Sequence, residues 1–373
     1  MWNKSFSVIL IIVLSLDYIS LEHSGNENDE LVGVAVCFRH GDRGPISSYP
    51  NDPFLDIKYW PDGFGQLLEK GKINQFNLGR WLRSRYYNFL SQRYSVSEIF
   101  VKSTDVDRTL TSAASNLAGL YYPENYSDTY PNWPLNLPWN PIPIHTVPEE
   151  DDDILAMAKS CRKFKELHEQ ILNSEGLKNI LKKYENIVRL VESKTGWNIT
   201  DVTTFQGLWS VFYVYKMHNA SYLPDWFYDL DENELSFLAG LSFSSETYTD
   251  TLQRLKVGPL FNYLNNYFDG IYNGTNQKFL MLSAHDGTIA SILNTYMAYD
   301  RNPPEFCSMI IWELYKSSSG DKYLKIWFKK NCETDSLEPV NVGNCYSTCS
   351  YNVFKQFVQT IAVDAETWEK ECN

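Results

Sequence analysis

The chain has 373 residues with a formal net charge of −13, and 43% of them are hydrophobic, enough apolar material for one large domain or two smaller ones. An aromatic content of 15% argues against a disordered chain. The acidic balance excludes nucleic acid and anionic membranes as general partners, since a phosphate polymer would be repelled, but it leaves room for a small anion held by local arginines.

The N-terminus has a short polar start with Lys4, then an apolar run from Phe6 to Leu16. That run is too short to span a bilayer and predicts a signal peptide over about residues 1–22. A secreted protein follows, with a lysosomal lumen as the less favoured compartment. No later run approaches membrane length, so no membrane anchor is expected. Acceptor triplets at Asn125, Asn198, Asn219 and Asn273 agree with an exported glycoprotein.

Val32 to Phe38 reads as a buried strand, and the loop Arg39-His40-Gly41-Asp42-Arg43-Gly44-Pro45 follows it directly. Helical spacing of apolar residues predicts a helix over Gln66 to Leu90. Ile99 to Ser103 is a second strand, and Thr109 to Leu120 a helix of small residues, with Arg108 between them. A proline-rich loop runs from Pro131 to Pro148 and carries Trp133, Trp139 and His145. The acidic run Glu149 to Asp153 invites a metal site, but a solvated helix start accounts for it better. Helical patterning continues to about Leu241, with aromatics such as Trp209, Phe212, Tyr213, Tyr222 and Trp226 expected to pack those helices rather than line a pocket.

Thr251 to Phe268 predicts a helix interrupted at Gly258-Pro259. Lys278 to Ser283 is a compact strand, and Ile289 to Tyr299 a helix, with Ser283-Ala284-His285-Asp286-Gly287-Thr288 at their junction. Two β-like runs, Met309 to Tyr315 and Tyr323 to Phe328, flank a Ser/Gly/Asp turn and predict a hairpin. A short helix near Tyr351 to Ile361 closes the chain. Strands alternating with helices at both ends predict an α/β fold, a mixed and mostly parallel sheet flanked by helices. Its core would comprise 31–148 and 250–373, with a smaller inserted helical domain over 149–249.

Seven cysteines in an exported chain predict disulfides with one thiol left over. Cys37, inside the apolar strand, is the expected free one. A hairpin would set Cys307 opposite Cys332, and Cys345 with Cys349 could close a small loop, which leaves Cys161 with Cys372. Other pairings stay open from sequence. Zinc at Cys345 and Cys349 is disfavoured, because no second pair completes four ligands.

Three segments carry chemistry, each after a strand, where open α/β sheets bind ligands. Arg39 and Arg43 are permanently charged and can each donate paired hydrogen bonds to phosphate oxygens. Nearby positive charge keeps His40 neutral, and a neutral imidazole can attack phosphorus. Asp286 is a candidate proton donor to a leaving oxygen, although alone it could be a helix N-cap beside a structural histidine. Arg108 could add a third guanidinium.

Together RHGDRGP, STDVDRT and SAHDGT, in that order, closely resemble the histidine acid phosphatases, with prostatic, lysosomal and insect venom acid phosphatases as the nearest likeness. Leu78-Gly79 to Arg83, the loop Trp139 to Thr146, Gly258-Pro259-Leu260 and Cys345-x-x-x-Cys349 agree, so the resemblance covers most of residues 31–372. It implies a histidine phosphatase fold and hydrolysis of small phosphate monoesters through phosphohistidine, at acidic pH. It also implies His40 as nucleophile, Asp286 as proton donor, and Arg39, Arg43, Arg108 and His285 as phosphate ligands. No metal or organic cofactor is implied, and a homodimer is compatible with it. Gly287 departs from the threonine frequent in the family. A cysteine expected among the middle helices is missing from Tyr215-Lys216-Met217-His218, which supports a Cys307–Cys332 pair. A phytase-like enzyme, a mutase and a non-catalytic secreted binding or venom protein are the alternatives.

Overall fold

In the computed structural model, residues 29–123, 139–274, 277–343 and 345–373 are described. The predicted signal peptide, Asn125 and Trp133 lie outside them. The sheet is built on β1 (Glu30–Arg39), whose residues Gly33 to Arg39 are all buried. Such a continuous apolar run suits a strand covered on both faces. β1 runs parallel to β3 (Phe279–Ala284), which runs parallel to β2 (Ile99–Ser103). On its other side β1 pairs antiparallel with β4 (Met309–Lys316). The hairpin continues into β5 (Lys322–Lys329), which pairs with the short β6 (Glu338–Pro339) and β7 (Cys349–Ser350). The order is β2-β3-β1-β4-β5-β6, a mixed sheet with a parallel core.

Alternate side chains of β1 enter separate cores, as a two-residue period requires. Val34, Val36 and Phe38 join α1 (Glu69–Arg85) and α2 (Asp107–Leu120). Ala35 and Cys37 face α8 (Asp250–Tyr272) and α9 (Asp286–Thr295). The helices α1 and α2 cross at backbone contact. A Cβ on Gly79 would lie 1.9 Å from the Asn116 carbonyl oxygen, and one on Gly119 would lie 2.0 Å from that of Phe76.

Between α2 and α8 lie α3 (Arg162–Leu172), α4 (Glu175–Lys183), α5 (Glu185–Thr195), α6 (Thr203–His218) and α7 (Glu232–Ser245). Phe212 is buried here against Trp226 and Phe227, and Trp209 stacks on Tyr213. These aromatics extend the core that begins on one face of the sheet. Of the proline-rich loop, His145 is laid beside β2, bridging Lys102 and stacking on Phe100.

Three sequence expectations need correction. The helix expected to break at Gly258-Pro259 is continuous through Pro259. Proline deprives the carbonyl four residues back, that of Leu255, of its helical donor. The indole N–H of Trp368 donates to that oxygen instead, at 2.8 Å. Trp368 lies on α11 (Ala365–Cys372), a helix that follows α10 (Tyr351–Gln359) and was not anticipated. Finally, Asp152 in the acidic run is not solvated. It is fully buried, and its carboxylate accepts the backbone N–H groups of Ile154, Leu155 and Ala156.

Disulfides join Cys161 to Cys372, Cys307 to Cys332 and Cys345 to Cys349. Cys37 is free and buried, and burial pushes its thiol up to about 12, which makes it inert. No described helix is long and apolar enough to cross a membrane.

Candidate active site

The three parallel strands β2, β3 and β1 end in register, with Ser283 opposite both Phe38 and Ser103. Their exits therefore reach one edge of the sheet together. Arg39 and His40 leave β1, Thr104 leaves β2, and His285 and Asp286 leave β3. Backbone bonds tie these exits to each other: His40 N–H donates to the Ala284 carbonyl and Thr104 N–H to that of Ser283. Helices α2 and α9 begin here, so the positive ends of two helix dipoles face the same edge.

The first loop is pinned from several elements. Gly41 N–H donates to Ser112 of α2, and Gln75 of α1 donates to the Arg39 carbonyl. A Cβ on Gly41 would sit 2.5 Å from the Gly71 carbonyl oxygen, so only glycine lets α1 approach this closely. Asp42 turns away from the edge and accepts from Asn74 of α1 at 2.8 Å.

Arg39 is fully buried, stacked 4.3 Å over the Phe306 ring and paired to Asp286 at 2.9 Å. Arg43 donates to the hydroxyl of Ser210 on α6, at 3.0 Å. Arg108 stands in the first turn of α2, not before it. The Nε–H groups of Arg39, Arg43 and Arg108 are buried and find no hydrogen-bond acceptor among the described residues. Buried donors are rarely left so, and three cationic ones at one sheet edge suit an anion.

His40 Nδ1 lies 2.9 Å from the Gly41 carbonyl. A carbonyl only accepts, so Nδ1 carries the hydrogen and Nε2 keeps its lone pair. Burial, reinforced by Arg39, Arg108 and Arg43, holds this imidazole well below the usual histidine range. His285 lies edge-on to it at 5.7 Å. It is the N-cap of α9: its side chain accepts the Thr288 backbone N–H, and Nε2 is 3.0 Å from the Thr104 hydroxyl. Burial and then Arg108 bring His285 down to about 4. Asp286 is thus the first helical residue rather than the cap. Burial works to raise its carboxyl, but Arg39, Arg43 and His285 together outweigh that and lower it. Burial beside Arg39 lowers Arg43 to about 9.

His40, Arg43, Arg108, His285 and Asp286 line one cavity of about 250 Å³. All six residues singled out from sequence meet at this edge, with Arg39 reaching it through Asp286. Thr104, Ser112, Ser210 and Thr288 were not singled out as functional, although Thr104 and Thr288 lie within the recognised motifs. None of Trp209, Phe212, Tyr213, Tyr222 or Trp226 lines the cavity. Of the acceptor asparagines within the described residues, Asn198, Asn219 and Asn273 are exposed.

Comparison with known proteins agrees with this geometry. The chain is 33% identical to prostatic acid phosphatase of Bos taurus, over 99% of this chain and 95% of that one. It is 35% identical to lysosomal acid phosphatase of Xenopus laevis, over 98% and 83%. A solved structure of Hafnia alvei phytase in complex with tartrate shares the fold, with a TM-score of 0.70 at 14% identity, covering 94% of this chain and all of that one. The sequence model of the histidine phosphatase superfamily (branch 2) matches residues 30–329. With three arginines, two histidines and an aspartate assembled at the ends of its parallel strands, the chain belongs to that superfamily.

Proposed function

We propose that the protein is an acid phosphatase that hydrolyses phosphate monoesters through a phosphohistidine on His40. One observation carries the reading: a neutral, tautomer-fixed imidazole shares one cavity with Arg43, Arg108 and Asp286, and Asp286 is paired to a third guanidinium, that of Arg39. The arginines and His285 hold the phosphoryl oxygens and neutralise their charge, most of what phosphoryl transfer requires of a protein. Nε2 of His40 attacks phosphorus as the bond to the ester oxygen breaks, and Asp286 protonates the departing alcohol. Water then attacks the phosphohistidine, giving a proton to Asp286, and inorganic phosphate leaves.

Without substrate, Asp286 is ion-paired with Arg39. A bound phosphoryl group draws on the same arginines and adds negative charge beside the carboxyl, which raises its pKa. Asp286 then holds a proton most readily at acidic pH, hence an acidic optimum. Replacement of His40 by Ala is expected to abolish turnover of p-nitrophenyl phosphate and to eliminate an acid-labile phosphoenzyme after quench. Ordinary turnover by that variant would refute the nucleophile.

Residues 149–249 serve in this reading as a helical cap over an α/β core of 31–148 and 250–373. The three disulfides suit an extracellular or lumenal compartment. We read the protein as secreted after removal of an N-terminal signal peptide and glycosylated at exposed Asn198, Asn219 and Asn273. Enzymatic deglycosylation of the secreted protein tests this by gel mobility.

A further inference from the structure

Apart from Ile46, Gly287 and Thr288, the rest of the cavity wall comes from the middle of the chain and from α8, including Glu149, Met157, Gln206, Phe243, Glu246 and Lys256. These residues surround the space left for the alcohol once arginines and histidines hold the phosphoryl group. Lys256 is the one lysine in this wall. Its ammonium is engaged twice: it lies 3.1 Å from the Glu246 carboxylate and 5.3 Å from the Phe164 ring centroid. Both partners of the ion pair are largely covered, with side chains 15% and 28% exposed. Partial burial makes this pair stronger and less salt-screened than one in open water. Glu149, at the start of the segment that Asp152 organises, is close enough to favour the charged form of Arg108.

The cavity is therefore polarised. Its phosphoryl end is strongly cationic, whereas the alcohol end has one lysine already neutralised and one further carboxylate. We propose that Glu246 is a specificity residue: by holding Lys256, and with Glu149 at the same wall, it restricts the enzyme to monoesters whose alcohol carries no second anionic group. Esters of neutral or ammonium-bearing alcohols are accepted, and bisphosphates and inositol polyphosphates are discriminated against. A second phosphate lodged against this wall has two carboxylates beside it and a lysine already paired to one of them. Selectivity here is repulsive in origin, since nothing in the wall is needed to attract a neutral alcohol.

This inference rests on the phosphatase reading, and one experiment separates the two. The ratio of kcat/KM for phenyl phosphate to that for 1,4-phenylene bisphosphate, counted per phosphoryl group, is measured at low salt for the intact protein and two variants. The intact protein is expected to favour the monophosphate about tenfold, the scale of a like-charge encounter in a partly enclosed site. Glu246→Gln frees Lys256 and narrows the ratio by about threefold or more; adding Lys256→Met to it widens the ratio again. High salt contracts the preference of the intact protein. A ratio near one in the intact protein, or a ratio that Glu246→Gln leaves unmoved, overturns the specificity role and leaves the phosphatase reading standing. Absence of turnover on both esters overturns the phosphatase reading and this inference with it.

Discussion

In the proposed mechanism His40 and Asp286 divide the chemistry because their surroundings differ. The imidazole is surrounded by cations and bonded to a carbonyl, so it stays neutral with a free Nε2. The carboxyl sits beside Arg39 and accepts the Gly287 N–H at 2.9 Å, so its protonation responds to whatever anion competes for that arginine. The role proposed for it, proton donor, predicts a leaving-group dependence. Asp286→Asn is expected to slow hydrolysis of an alkyl phosphate by about a hundredfold or more, the usual size of a general-acid contribution. The effect on p-nitrophenyl phosphate should be much smaller, because nitrophenolate departs without a proton. Equal losses on both esters would instead assign Asp286 to holding Arg39. At this scale the sequence was highly legible. Residues that leave a strand together, such as Arg39-His40 and His285-Asp286, are adjacent in the chain and advertise the site. Ser210, which fixes Arg43, comes from α6 over 160 positions away, and a lone serine in a helical pattern carries no sign of it.

The strands were readable because fully buried strands are short apolar runs with loops at both ends, as Ile99–Ser103 illustrates. The middle helices were readable as helical but not in their packing. Pro259 misled because the replacement donor for Leu255 lies over a hundred residues further on, at Trp368. Asp152 misled because composition shows an acidic run and not which member turns inward. Its three backbone amides shape the segment that brings Met157 to the cavity, and the Thr288 hydroxyl of α9 donates to the Leu155 carbonyl in that same segment, at 2.8 Å. One buried carboxylate thus couples the cavity wall to the helix that carries Asp286. Asp152→Ala leaves one buried amide, that of Leu155, and two partly buried ones without an acceptor, and is expected to destabilise the fold by about 2–3 kcal/mol, given the cost of unsatisfied buried groups. Urea unfolding measures that loss. Activity on phenyl phosphate should also fall, chiefly through a raised KM, as the wall loosens. Unchanged unfolding would mean that water replaces the carboxylate at no cost.

The whole molecule bears a conflict between its working pH and its buried histidines. His40 and His285 are held below the ordinary range by burial and by the surrounding arginines, and burial also lowers His168 and His218. An unfolded histidine takes up its proton near pH 6.5, roughly the value for a solvated imidazole. The folded protein declines that proton until the pH has fallen much further, to about 4 for His285. Below about pH 6.5 the unfolded state therefore binds more protons, so stability falls as pH falls. The melting temperature should be highest near neutrality and decline between pH 6.5 and 4. The disulfide Cys161–Cys372, which spans 211 residues of sequence, limits the unfolded state throughout that range. Inorganic phosphate should recover much of the loss. It binds only the folded arginine cluster, and its charge raises the pKa of both site histidines and so reduces the proton imbalance. Melting curves across pH 4 to 7.5, with and without phosphate, test this directly. The slope with pH should be shallower in His285→Asn, which removes one of the groups that resists protonation. A melting temperature that rises on acidification without ligand would show that the site histidines are already protonated in the folded protein, and the neutral nucleophile would fall with that result.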